Sequence, residues 1–160
     1  MSDEGDPDDR PVDRDDGATG LRIAPGCYAV GDGLSNRLDD YLGERPGISS
    51  ATVLAGETAL SAARDGIERS LDAAGVEFTV ATFDGECSAV AVEEYRDRLE
   101  AGDPDLLLGV GGGKALDTAK LVAEGRCPVA TVPTVASTCA AWTALSVLYE
   151  ADGSYVGPVG

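Results

Sequence analysis

The residues able to do chemistry concentrate in two stretches of this 160-residue chain, LLLGVGGGKALDTAK at 106–120 and VPTVASTCAAWTALSVLY at 132–149. In the first, an apolar run ends on glycines and a helical pattern begins. Gly109, Gly111, Gly112 and Gly113 let backbone N–H groups approach an anion closely, and the N-terminus of the following helix adds partial positive charge. These are the ingredients of a phosphate cradle. A P-loop needs a glycine at 108 and a Ser or Thr at 115, where this chain has Leu108 and Ala115. The GxGxxG fingerprint needs a glycine at 114, where Lys114 stands. What remains is a pyrophosphate site in which Lys114 adds a point charge to the glycine turn. Asp117, one turn further on, orients that lysine, accepts a hydrogen bond from a ribose or amide, or merely favours the helix dipole as an exposed first-turn carboxylate. The chain has two lysines, Lys114 and Lys120, against ten arginines, and both fall in this motif. Lys114 is expected to matter more to a ligand than Lys120, which lies two turns into the helix.

In the second stretch, Pro133 stops an apolar strand, and the hydroxyls of Thr134, Ser137, Thr138 and Thr143 follow among small residues. Ligands of open parallel sheets bind beyond the carboxyl ends of strands, and both stretches are expected at such ends. The alternative is a Ser/Thr-rich loop that satisfies its own backbone. Other chemistries are excluded by composition. With no histidine, a Ser-His-Asp or Cys-His pair and an imidazole metal site are impossible within these residues. Cys27, Cys87, Cys127 and Cys139 form no CxxC, so free and mostly buried thiols in a reducing cytoplasm are expected. No histidine is available to activate Cys139 as a nucleophile.

The elements that must position these residues follow from alternating patterns. Strands are expected at Cys27–Val30, Ala51–Ala55, Val76–Thr82, Leu106–Val110, Pro128–Val132 and Leu145–Tyr149. Helical spacing runs through Leu34, Leu38, Tyr41 and Leu42, through Leu60, Ala63, Ile67, Leu71 and Ala74 up to Gly75, through Val90–Leu99 and through Ala115–Ala123. Asp152-Gly153 is a turn signal that would fold a C-terminal hairpin back onto Tyr155. The expectation is an α/β fold, a Rossmann-like, mostly parallel sheet with helices on both faces, plus that hairpin.

Charge sets the remaining bounds. The net charge is −17, and the first 16 residues hold eight acidic side chains and two arginines, which is −6 of the total. Residues 1–20 are therefore expected to be a disordered acidic tail, and 21–160 a folded α/β domain, which the resemblance below makes a dinucleotide-binding one. The acidic, lysine-poor body suggests adaptation to high salt. A nucleic-acid or anionic membrane partner is disfavoured because clustered Lys and Arg are lacking, and no apolar run approaches the roughly 18 residues of a spanning helix.

At its two motif stretches the sequence resembles the iron-containing, group III alcohol dehydrogenases, in particular the glycerol dehydrogenase branch, through GGGKALDTAK, PTVASTCAAWTALSV and the DGECS stretch at Asp84–Ser88. The resemblance covers residues 21–157. It implies that the chain is the N-terminal, NAD- or NADP-binding part of a dehydrogenase. The helical second domain, which supplies an Asp and two His to a divalent Zn or Fe, would then lie outside these residues. By motif, Gly111, Gly112, Gly113, Lys114 and Asp117 would meet the cofactor pyrophosphate, while Thr134, Ser137, Thr143, Leu145 and Tyr149 would line its adenine and nicotinamide portions. Cys139 stands where the branch has an aspartate that contacts the polyol, and ASTCAAWTALSV is similar to the hydroxycarboxylate or 2-oxoacid reductases. A small polyol or a 2-hydroxy acid is thus the implied substrate. Gly56 replaces the acidic residue that holds the adenosine ribose, which admits NADP. The implied partners are that small molecule and either a complementary C-terminal domain or a second copy of the chain. A stand-alone nucleotide-binding module without catalysis is the alternative.

Overall fold

The computed structural model describes residues 12–13, 19–23, 26–42 and 45–159. The chain divides into two compact units, Met1–Leu34 and Ser35–Gly160. In the first, β1 (Val12–Asp13), β2 (Thr19–Ile23) and β3 (Gly26–Val30) form an antiparallel sheet in the order β1-β2-β3. Thr19 pairs with Val30 and Ile23 with Gly26. The expected strand at Cys27–Val30 is present as β3. Val12–Asp13 and Thr19–Gly20 lie in strands within the stretch expected to be a disordered tail, and the rest of that stretch lies outside the described residues.

The second unit is built on a four-stranded, all-parallel sheet of β4 (Ser50–Ala55), β5 (Glu77–Thr82), β6 (Leu106–Gly111) and β7 (Val129–Pro133), ordered β5-β4-β6-β7. Successive residues of a strand point to opposite faces, and the core divides accordingly. Val53, Ala55, Leu106, Leu108 and Val110 pack with Leu60, Ile67 and Leu71 of α2 (Glu57–Ala74) on one face. Leu54 and Leu107 pack on the other with Val92, Tyr95 and Leu99 of α3 (Ala89–Gly102) and with Ala115, Ala119 and Val122 of α4 (Gly113–Ala123). Every residue of β6 is buried, as its unbroken apolar run requires of a central strand covered on both faces. Each fully buried leucine contributes about 1.5–3 kcal/mol. At Gly109 a Cβ would stand 2.6 Å from the Ala119 Cβ, so glycine is what lets α4 lie this close to β6.

Helix ends follow sequence rules. Gly75 caps α2 at φ 70°, and the Ser88 hydroxyl caps α3 by accepting from the Ala91 N–H. The helical spacing of Leu34–Leu42 yields less than expected: a 3-10 turn at Leu34–Asn36 and a single turn, α1 (Asp39–Leu42). Gly33 at φ 71° precedes the stretch, and the sequence Gly-Glu-Arg-Pro follows it, so no room for a longer helix remains. β7 is an edge strand with Val129 more than a third exposed. The expected hairpin forms from β8 (Ser146–Tyr149) and β9 (Tyr155–Val159), antiparallel, with Gly153 at φ 88° in the turn. Among the described residues no helix is long and apolar enough to cross a membrane.

Candidate functional site

Strands β4 and β6 are neighbours, but the chain leaves them in opposite directions. From β4 it passes through α2 to β5, and from β6 through α4 to β7, with the two helices on opposite faces. Such a reversal opens a crevice at the carboxyl ends of the two strands. A cleft of about 580 Å³ lies there, lined by residues 56–59, 82–84 and 111–115. Gly56 and Gly112 are the N-caps of α2 and α4, and neither helix has a side chain capping its first turn. Two helix N-termini with their partial positive charge thus converge on one cleft.

The glycine turn between β6 and α4 leaves little room for side chains. Gly111 is buried at φ 150°, and a Cβ there would meet the Ala115 Cβ at 3.1 Å. A Cβ on Gly113 would meet the Thr138 Cγ2 at 3.0 Å, and one on Gly112 the Val135 Cγ2 at 3.4 Å. Segment 134–145, which carries no helix or strand, therefore lies against the turn, and the Thr134 N–H donates to the Gly111 carbonyl at 3.0 Å. The residues present fit an extended diphosphate: a bare backbone cradle, two open helix starts and one ammonium.

That ammonium belongs to Lys114, whose side chain is half exposed. It pairs with the Glu86 carboxylate and stands 5.7 Å from the centroid of the Tyr149 ring. Asp117, which the resemblance assigns to the pyrophosphate, is turned into the protein. It is buried: its Oδ2 accepts from the Val147 N–H at 3.1 Å and its Oδ1 meets the Lys120 ammonium at 2.9 Å. Position 117 falls on the face of α4 that packs inward, so its charge is compensated within the protein instead of being offered to a ligand. Lys120 also donates to the carbonyls of Thr143 and Leu145, at 3.0 and 2.5 Å. The pair pins the end of segment 134–145 and the start of β8 onto α4.

Two hydroxyls serve the local backbone: Thr138 accepts from the Ala140 N–H and Thr143 donates to the Leu145 carbonyl. Ser137, Cys139 and Leu145 are exposed, Thr134 is half-buried, and Tyr149 packs edge-on against Tyr155 at 6.1 Å. Cys87 is buried and Cys127 half-buried, and burial pushes both thiols up from their ordinary value. The pairing of Glu86 with Lys114 has no signal in the sequence, whereas Gly56, expected beside the adenosine ribose, does line the cleft with the first turn of α2. The strand-glycine-helix pattern at Ala55-Gly56-Glu57 is the local signal for that second helix start. Among the described residues no three or more His, Cys, Asp or Glu side chains are grouped to hold a metal ion. These residues do not themselves fit a divalent metal, whose Asp and two His ligands the resemblance assigns to a second domain outside them.

An open parallel sheet with helices on both faces and a glycine-lined crevice at its switch point defines a Rossmann-like α/β domain. The family model for iron-containing alcohol dehydrogenases matches residues 25–158, and the chain belongs to that family. It is 41% identical to a glycerol dehydrogenase of Pseudomonas putida over 133 residues, covering 82% of this chain and 36% of the relative. It is 36% identical to hydroxycarboxylate dehydrogenase A of Escherichia coli K12, covering 82% of this chain and 35% of that protein. The crystal structure of glycerol dehydrogenase from Schizosaccharomyces pombe superposes with a TM-score of 0.70 at 33% identity, over 79% of this chain and 32% of that one. The chain spans about a third of the length of the curated relatives it matches.

Proposed function

We propose that this chain is the dinucleotide-binding part of a dehydrogenase that moves a hydride between a nicotinamide cofactor and a small polyol or 2-hydroxy acid. The convergence of two uncapped helix N-termini and the Gly111–Gly113 turn on one cleft is the observation that supports this most strongly. NAD or NADP supplies the hydride donor or acceptor when bound. The backbone of Gly112 and Gly113 and the first turn of α4 hold the diphosphate, and Lys114 adds the charge of its ammonium. Thr134, Ser137, Thr143, Leu145 and Tyr149 lie outside the lining of that cleft, and only the resemblance assigns them to the adenine and nicotinamide portions and Cys139 to the substrate wall. Asp117 in this reading supports the loop that carries those residues and does not itself meet phosphate. Gly56 alone would admit NADP, but Glu57 lines the cleft beside it, and in this reading its carboxylate repels a 2′-phosphate and favours NAD. The substrate classes are those named for the glycerol and hydroxycarboxylate relatives.

The test is a titration of the full chain with NADH, followed by nicotinamide fluorescence. Saturable binding is expected, and Lys114→Ala should weaken it about tenfold, the value of one charge-assisted contact at a half-exposed site. Failure of the wild-type chain to bind NADH or NADPH overturns the reading. Equal binding by wild type and Lys114→Ala removes the lysine from the site.

A further inference from the structure

Lys114 is the single cation among the described residues lining the cleft, where Glu57 and Asp84 also stand. Its ammonium is not directed to the cleft alone. It is held by Glu86 and lies over Tyr149, neither of which lines the cleft. Glu86 needs this contact. Its Oε1 takes the ammonium, while its Oε2 is buried with no hydrogen-bond partner among the described residues. A partly buried carboxylate with one bare oxygen depends on its cation for compensation. An anion arriving at the glycine turn must draw on the same single charge. Drawing Lys114 away strands the Glu86 carboxylate, and sharing Lys114 leaves less of its charge for the newcomer.

Resting on the dinucleotide reading above, we propose that Glu86 sets the affinity of the glycine turn for diphosphate by competing for the Lys114 ammonium. Glu86 acts through Lys114 and is a positioning residue. Its carboxylate lies 28 residues before that lysine, in the loop that leads into α3, and the Tyr149 N–H donates to the neighbouring Cys87 carbonyl at 2.8 Å. The loop and the hairpin are thereby joined on the side of Lys114 that holds its ammonium. The sign of the effect is unusual for a residue beside a binding site, since its neutralisation strengthens binding.

The experiment titrates wild type, Glu86→Gln, Lys114→Ala and the double variant with NADH, ADP and adenosine, using fluorescence and calorimetry. Glu86→Gln should tighten NADH and ADP about threefold to tenfold at low ionic strength, the size of a unit-charge interaction at about 4–6 Å in a solvated setting. Adenosine, which lacks the diphosphate, should bind unchanged. The gain should shrink as salt is added and in the Lys114→Ala background, where there is no ammonium to release. Glu86→Asp withdraws the carboxylate by one methylene and should fall between wild type and Glu86→Gln, with thermal melts verifying that each variant is folded. Unchanged or weaker ADP binding by Glu86→Gln, an equal gain for adenosine, or an equal gain without Lys114 overturns the competition. Wild-type binding with no response to Glu86→Gln defeats this inference alone, whereas absence of both NADH and ADP binding by wild type defeats the dinucleotide reading beneath it.

Discussion

Replacing Lys120 with methionine tests the division of labour between the two lysines. Lys120 and Asp117 side chains are 12% and 9% exposed, and the ammonium holds one carboxylate oxygen and two carbonyls. Methionine keeps the length of the stem but strands a buried carboxylate and two acceptors. Breaking a buried pair by removing one partner costs about 3–5 kcal/mol, and the residual exposure of both side chains puts Lys120→Met near the lower end, about 3 kcal/mol. For a chain of this size that is a fall of about 6–12 °C in the melting temperature. Asp117→Asn in the Lys120→Met background should recover part of the loss, because it removes the stranded charge. Lys114→Ala strands the Glu86 carboxylate, but that pair is more open to solvent, with side chains 50% and 21% exposed, so its cost should be smaller, about 1–2 kcal/mol. Urea unfolding of the four proteins measures all of this. A loss below about 1 kcal/mol for Lys120→Met, or a double variant less stable than Lys120→Met alone, refutes the reasoning that this pair is a buried pin.

Gly111→Ala should lower both stability and NADH affinity. At φ 150° a side chain is strained by about 1–3 kcal/mol, and its Cβ would press on Ala115 in the first turn of α4. Melting curves and the NADH titration should move together, and a variant with unchanged affinity would place the ligand elsewhere. Asp105 accepts from the N–H and hydroxyl groups of Ser49 and Ser50, and these bonds hold its carboxyl at about 2, below its ordinary 3.8. A depressed carboxyl stabilises the fold fully above pH 3.8 and loses that contribution as pH falls towards 2. Asp105→Asn should therefore be less stable than wild type at neutral pH and converge with it near pH 2, as read by thermal melts across pH; an equal deficit at both ends would deny the bonds their role.

What could be read from the chain and what could not differ in the range of the interactions involved. The buried run of β6, the glycine turn, the stop of α2 at Gly75 and the hairpin turn at Asp152-Gly153 are written in neighbouring residues, because backbone conformation and period are local. The roles of Asp117 and Glu86 are not local. The partner of Asp117 on β8 is Val147, 30 residues away, and Glu86 meets Lys114 across 28. A carboxylate one turn into a glycine-led helix has the same sequence context whether it faces a cofactor or a buried ammonium; only the packing of segment 134–149 on α4 decides. The clustering of both lysines in one motif signalled that position matters there, yet it could not say that one neutralises a buried acid while the other stands at the cleft. In a chain of net charge −17 with two lysines, each ammonium has many carboxylates available to it, and the fold determines which of them it meets.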